Sequence, residues 1–229
     1  MEKTNDQMTE IPVKQAINLL SGYLSDRRRK LIDKVLAQRT RHITIVLEDV
    51  FQPQNASAVL RTCECQGIQD IHIVEKDHQY EVNPKVVKGA SKWLTIHRHQ
   101  GENSIADCYR YLKKHGYSIA AVDPSPGAMS IHELEINQKT ALVFGTEYAG
   151  LSSYAKEHAD LQVHIPMFGF TESYNLSVSA ATCMQTIVSK MRTSSINFSL
   201  SENELDALKL SWYKGHVKAA DEMLSRLKR

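Results

Sequence analysis

Three short segments carry residues whose types and spacing suit chemistry. The first is Asn55-Ala56-Ser57-Ala58-Val59-Leu60-Arg61-Thr62. Ser57 and Arg61 stand four apart, so on a helix they share a face, while Val59, Leu60 and Cys63 point elsewhere. Arg61 offers an always-charged planar fork for a phosphate or a developing oxyanion; its ordinary alternative is a solvated surface cation. Asn55 sits where a loop enters the helix, a natural N-cap position.

The second segment is Phe144-Gly145-Thr146-Glu147-Tyr148-Ala149-Gly150-Leu151. Gly145 directly after an apolar run signals either close approach of a ligand to backbone or a tight turn. Glu147 is placed to hydrogen-bond a substrate or an arginine, or simply to complement a helix dipole. The third segment runs from Ile165-Pro166-Met167-Phe168-Gly169 to Ser173-Tyr174-Asn175-Leu176-Ser177-Val178-Ser179-Ala180-Ala181. Pro166 removes a ladder donor at a strand end, and Gly169 permits backbone that other residues resist. Ser173, Asn175 and Ser177 crowd a helix start, as an N-cap or a ligand-binding turn does.

These segments need strands to end on and helices to enter. Ile43 to Leu47, Ile71 to Val74, Trp93 to Ile96, Tyr117 to Val122, Thr140 to Phe144 and Leu161 to Ile165 read as strands. Helices are predicted over 55–66 with Gly67 as stop, 103–115 ended by Gly116, near 153–158, and over 173–192. A turn or short helix covers Lys85 to Ala90, and a turn follows Asp123-Pro124. Strands alternating with helices predict an α/β fold, a mostly parallel sheet flanked by helices, with extra helices at both termini. Residues 13–39 divide into two short helices at Gly22 and the Arg27–Lys30 run, and a terminal helical segment covers 202–229. Residues 1–12 are polar and read as mobile. The expected domains are 1–39 as a helical extension, 40–195 as the catalytic domain and 196–229 as a second helical extension.

Composition sets the frame. The 229 residues are 42% hydrophobic and 24% charged, with a net charge of +2, as in an ordinary globular chain. Positive charge is concentrated: Arg27, Arg28, Arg29, Lys30, Lys34, Arg39 and Arg41 fall within fifteen residues. That run is either a solvated helix face or a phosphate-contacting patch. Cys63-x-Cys65 has the wrong spacing for common zinc sites and Cys108 and Cys183 lie far away, so four reduced structural thiols, and no metal, are expected. With no apolar leader and no apolar run of membrane length, no membrane association and a cytoplasmic location are expected.

Taken in order, Asn55-x-x-Ala58-x-x-Arg61-Thr62, Gly145-x-Glu147-x-x-Gly150-Leu151, and Ile165-Pro166-Met167-x-Gly169 with Ser173-x-Asn175-x-Ser177-Val178-Ser179-x-Ala181 resemble the three motifs of the SPOUT superfamily. More closely they resemble its TrmH branch of RNA ribose 2′-O-methyltransferases, over roughly residues 40–192. The resemblance implies a C-terminal trefoil knot, a homodimer, S-adenosylmethionine as methyl donor and RNA as substrate. The substrate it favours is tRNA, at guanosine 18 of the D-loop. It assigns cofactor contacts, largely through backbone, to Val122, Gly145, Ile165, Met167, Tyr174 and Leu176. It assigns the catalytic set to Arg61, Asn55, Glu147 and Asn175. Substrate contacts fall to Ser57, Ser173, Arg27, Arg28 and Lys30. Tyr174 departs from the family's usual Leu, and the helix end from Gln185 to Arg192 departs from a Glu/Arg-rich pattern.

Other readings stay open beside this one. A ribosomal RNA or wobble-position tRNA 2′-O-methyltransferase shares the chemistry, and a non-catalytic RNA-binding protein would share the fold. A Rossmann dehydrogenase is disfavoured because the turn from Glu48 to Asn55 has no G-x-G-x-x-G.

Overall fold

The computed structural model describes residues 11–81 and 83–226. These form two compact units, one from residues 40–199 and one from the two terminal segments.

The central unit is built on seven strands: β1 (Ile43–Glu48), β2 (Asp70–Glu75), β3 (Thr95–Gln100), β4 (Ser118–Val122), β5 (Met129–Ser130), β6 (Thr140–Phe144) and β7 (Leu161–His164). They lie in the order β3-β2-β1-β6-β4-β7-β5, and every neighbouring pair is parallel. β1, β2 and β6 are buried along their whole length. Such strands read as unbroken apolar runs because both faces are covered.

The period-two alternation sorts their side chains onto two cores. Ile43, Ile45 and Leu47 of β1, with Ile71, Ile73, Leu142 and Phe144, pack on α3 (Pro53–Gln66) and α7 (Leu176–Thr193) through Val59, Leu60, Met184 and Ile187. On the opposite face Val46, Val74, Ala141 and Val143 meet Cys108, Tyr109 and Leu112 of α5 (Ser104–Lys114) and Ala155 of α6 (Ser153–Glu157). Between β2 and β3 run the single turn α4 (Pro84–Val87) and a 3-10 turn at Ala90–Trp93. β3 therefore starts two residues later than the apolar letters Trp93-Leu94 predict. β5 has only two residues, too few for a sequence pattern to mark.

Helix ends differ from the sequence reading in ways that matter. Pro53 occupies the first position of α3 and Gln52 caps it, so Asn55 is not the N-cap but sits one turn in, with its side chain free to point sideways. Gly67 closes the helix in the left-handed conformation (φ 78°), as its position predicts. α7 starts at Leu176 with Asn175 as its cap, so Ser173 and Tyr174 belong to the preceding loop.

The terminal unit holds α1 (Val13–Ser21), α2 (Asp26–Leu36), α8 (Glu202–Lys214) and α9 (Ala220–Arg226). The break between the first two helices falls at Gly22 to Ser25, and the Arg27–Lys30 run lies inside α2 rather than interrupting it. Ser25 caps that helix and Asp26 offsets the dipole that three arginines oppose. The predicted terminal helix is likewise two helices. Leu20, Ile32, Leu36, Leu208, Trp212 and Tyr213 form the unit's interior, with Arg39 buried and its guanidinium 5.3 Å from the Trp212 ring centre. The terminal segments thus share one core instead of making two separate extensions, and residues 196–199 belong to the central unit, where Ile196 and Phe198 pack on its core. The reading of residues 1–10 as mobile, and the last three residues of the predicted terminal helix, lie outside the described residues. No helix among the described residues is long and apolar enough to cross a membrane.

Candidate active site

The C-terminal ends of β4, β6 and β7 open onto one cavity of about 570 Å³. This is where open parallel sheets place ligands, and the volume suits a nucleoside-sized molecule. Val122, Gly145, Ile165, Met167, Tyr174 and Leu176 all line it, as do Glu147, Ser173 and Asn175.

The loop after β6 owes its shape to glycine. A Cβ on Gly145 would lie 2.2 Å from the carbonyl carbon and oxygen of Gly150 and 2.3 Å from Leu151 N. The chain itself, rather than a ligand, makes the close approach here. The Thr146 N–H donates to Gly150 O (3.0 Å) and the Gly150 N–H donates back to Thr146 O (3.1 Å). Gly150 turns with φ 68°. The closed loop holds Glu147 and the exposed Tyr148 at its tip.

Asn55, Glu147 and Asn175 then meet, one from each sequence segment. Asn55 Nδ2 donates to Glu147 Oε1 at 2.7 Å and to Gln52 Oε1 at 3.2 Å. Asn55 Oδ1 accepts from Asn175 Nδ2 at 3.2 Å, and Asn175 Oδ1 accepts from the Ser177 N–H at 2.9 Å and the Ser177 hydroxyl at 2.6 Å. Asn55 is buried, so its own bonds are partly shielded from competing water. Glu147 Oε2 is buried with no hydrogen-bond partner among the described residues. A carboxylate oxygen left so is an acceptor suited to an N–H or O–H of a bound molecule, since an unmet buried acceptor costs about 1–3 kcal/mol.

Five expected site residues are placed away from the cavity. Ser57 is fully buried, and its Oγ accepts from the Asn83 N–H at 2.8 Å, so it anchors the segment before α4 instead of facing a substrate. The two residues still share a helix face, but the chain at Asn83 covers it at Ser57 while Arg61 stays in solvent. Arg61 is exposed on α3 and does not line the cavity. Arg27, Arg28 and Lys30 stand exposed on the first turns of α2, in the terminal unit.

Sequence reasoning also missed functional-looking residues. Asp123, buried at the end of β4, lines the cavity. Its carboxylate takes a 3.0 Å ion pair from Lys156 and a hydrogen bond from the Ser125 hydroxyl. In the sequence, Asp123-Pro124 is indistinguishable from an ordinary turn. Glu48 accepts from the Ser152 hydroxyl (2.6 Å) and N–H (3.0 Å), tying β1 to the cap of α6 just past Leu151. Asp49, at φ 53°, accepts the N–H groups of Lys76, Asp77 and His78 at 2.9–3.0 Å and contacts the His78 ring at 3.0 Å. Burial raises the Asp49 pKa, but the His78 and Lys76 N–H bonds, the His78 ring and the Asp77 N–H outweigh it and leave the carboxyl below its ordinary value.

Residues 42–185 match the SpoU rRNA methylase family. The chain belongs to that family. The matched span runs from β1 into α7 and contains every residue that lines the cavity. A tRNA (guanosine(18)-2′-O)-methyltransferase of Borreliella burgdorferi is 42% identical over 206 residues, covering 90% of this SpoU methylase chain and 93% of the relative. The crystal structure of the A. aeolicus TrmH/SpoU tRNA modifying enzyme matches with a TM-score of 0.76 and 25% identity, over 87% of this chain and 98% of that one. The SpoU methyltransferase AviRb of Streptomyces viridochromogenes, in complex with AdoMet, matches at TM-score 0.59 and 21% identity, over 70% and 62% of the two chains, a likeness of fold alone.

Proposed function

We propose that this SpoU methylase transfers a methyl group from S-adenosylmethionine to the ribose 2′-oxygen of guanosine 18 in the tRNA D-loop. The observation that carries the proposal is that two distant motifs line one cavity while the third reaches it through Asn55, which is hydrogen-bonded to the lining residues Glu147 and Asn175. The Borreliella relative's named activity, over nine-tenths of this chain, supports the substrate. The AdoMet-bound fold relative supports the donor.

The cavity fits the donor in volume and in its strand-end backbone. Val122, Gly145, Ile165, Met167, Tyr174 and Leu176 would hold it. When bound, S-adenosylmethionine supplies an electrophilic sulfonium methyl. The protein's own task is then to present the 2′-hydroxyl in line and to stabilise the charge that develops on its oxygen. Asn55 fixes one oxygen of Glu147 and so aims the other at the bound molecules. Asn175 ties the start of α7 to the same network. Arg61 acts as a cation, not a base, because guanidinium does not lose its proton in proteins. It grips an RNA phosphate and favours the alkoxide. Because Arg61 lies outside the cavity of its own chain, the proposal includes a homodimer, with the family's trefoil knot between β7 and α7. Arg27, Arg28 and Lys30, exposed against the dipole of α2, are assigned to the tRNA backbone.

Transfer of labelled methyl to unmodified tRNA, with the product mapped by nuclease digestion and mass spectrometry, tests this reading. A 2′-O-methylguanosine at position 18 supports it. Methylation of ribosomal RNA fragments or of a wobble nucleotide instead overturns the substrate, and absence of S-adenosylmethionine binding by calorimetry overturns the chemistry.

A further inference from the structure

A second cluster of chemistry-bearing side chains lies at the other edge of the sheet, where β3 is the outermost strand. The β2–β3 register sets His72 beside His97, and His99 follows two residues along on the same face of β3. The His72 and His97 rings stack at 4.5 Å between centroids, and His72 Nδ1 is 3.0 Å from His99 Nε2. Helix α5 covers this face and brings Cys108 over it. One ligand atom from each of His72, His99 and Cys108 lies within 4.8 Å of the other two. None of the three lines the cavity, and β2 and β1 stand between β3 and β6, the nearest strand that forms it.

We propose that His72, His99 and Cys108 form a binding site for a transition-metal ion of the Zn²⁺ class. Imidazole nitrogen and thiolate are donor types that zinc takes, with water in the fourth position when the protein supplies three ligands, and they are too soft for Mg²⁺ or Ca²⁺. Tetrahedral zinc holds such atoms about 3.3–3.6 Å apart, given its bond lengths of about 2.0–2.3 Å. His72 and Cys108 are fully buried beside Val46, Val74 and Leu112, which supplies a dry shell. His99 is half-exposed on the edge strand and supplies the entry path. Metal uptake by Cys108 exchanges its thiol proton for the ion. The bound ion would pin α5 to the β2–β3 edge.

The test uses the full-length chain, stripped with chelator and titrated with Co²⁺ as a spectroscopic probe and with Zn²⁺ in thermal melts. The expected result is a thiolate-to-cobalt charge-transfer band and a rise in Tm with Zn²⁺, both lost in Cys108→Ser and in His99→Gln. The second variant changes a half-exposed side chain, so its folding is not at risk. Cys65→Ser, which removes the exposed thiol, should leave both signals intact. No thiolate band in the wild-type chain, or a band that survives Cys108→Ser, overturns the site and leaves a hydrogen-bonded histidine pair.

Discussion

The Asn55 side-chain nitrogen stands 2.7 Å from Glu147 Oε1, although the two residues are 92 positions apart in the chain. The same side chain accepts from Asn175 through its oxygen, so one amide joins the three strand-end loops. Only an amide offers donor and acceptor at once in this shape, and an ionised Glu147 can only accept, which fixes the orientation of Asn55.

Replacing Asn55 by Asp sets two carboxylates against each other. Single-turnover methyl transfer should fall on the order of a hundredfold, about 2.7 kcal/mol. Combining it with Glu147→Gln restores a donor–acceptor pair and should recover part of that loss. A double variant no better than Asn55→Asp would sink the pairing as the reason for Asn55.

Gly145→Ala should be poorly tolerated for a reason independent of catalysis. The new methyl would fall 2.2 Å from the Gly150 backbone, and backbone cannot rotate away. A loss of about 3 kcal/mol is expected in urea unfolding, at the upper end of overpacking costs. An unchanged midpoint would mean that the Thr146–Gly150 loop is looser than its two hydrogen bonds indicate.

Arg61→Lys separates chemistry from folding. The side chain is exposed, so stability should stay within about 0.5 kcal/mol of wild type. Turnover should drop at least tenfold, because an ammonium cannot reproduce the planar fork. Near-normal turnover with normal tRNA affinity would remove the guanidinium from the mechanism.

Asp49 predicts the acid limb of stability. Its folded pKa is depressed, so its stabilisation is complete above the unfolded value of about 4 and is lost as pH falls through the folded one. Asp49→Asn should cost about 1–3 kcal/mol at neutral pH and progressively less as the wild-type carboxyl protonates. Parallel stability curves for the two proteins down to the lowest pH would contradict this.

The strands were legible because burial on both faces writes them as apolar runs, and β1, β2 and β6 agree with their letters to within a residue or two. The cavity lining was legible through the resemblance of three motifs. Burial of a small polar side chain was not. Ser57 and Arg61 share helical spacing, yet Ser57 turns inward because Asn83, 26 residues on, offers an N–H. Asn55 misled for a similar reason: Pro53 sets the helix start, and a cap preference cannot register that a proline two residues earlier has taken the place. The histidine cluster left no local trace, since strand register, not spacing, brings positions 72, 97 and 99 together.

The pairing of β1 with β6 carries a consequence for biosynthesis. Ile43 finds its partner Thr140 about a hundred residues later in the chain. A ribosome that has delivered β1 to β4 therefore displays an apolar strand with one open hydrogen-bonding edge at what becomes the middle of the sheet. Closure waits for β6, and the cavity for the segment that follows β7. The edge of β1 stays open from the delivery of residue 48 to that of residue 144, and the cavity closes only after the segment that follows β7 has been made.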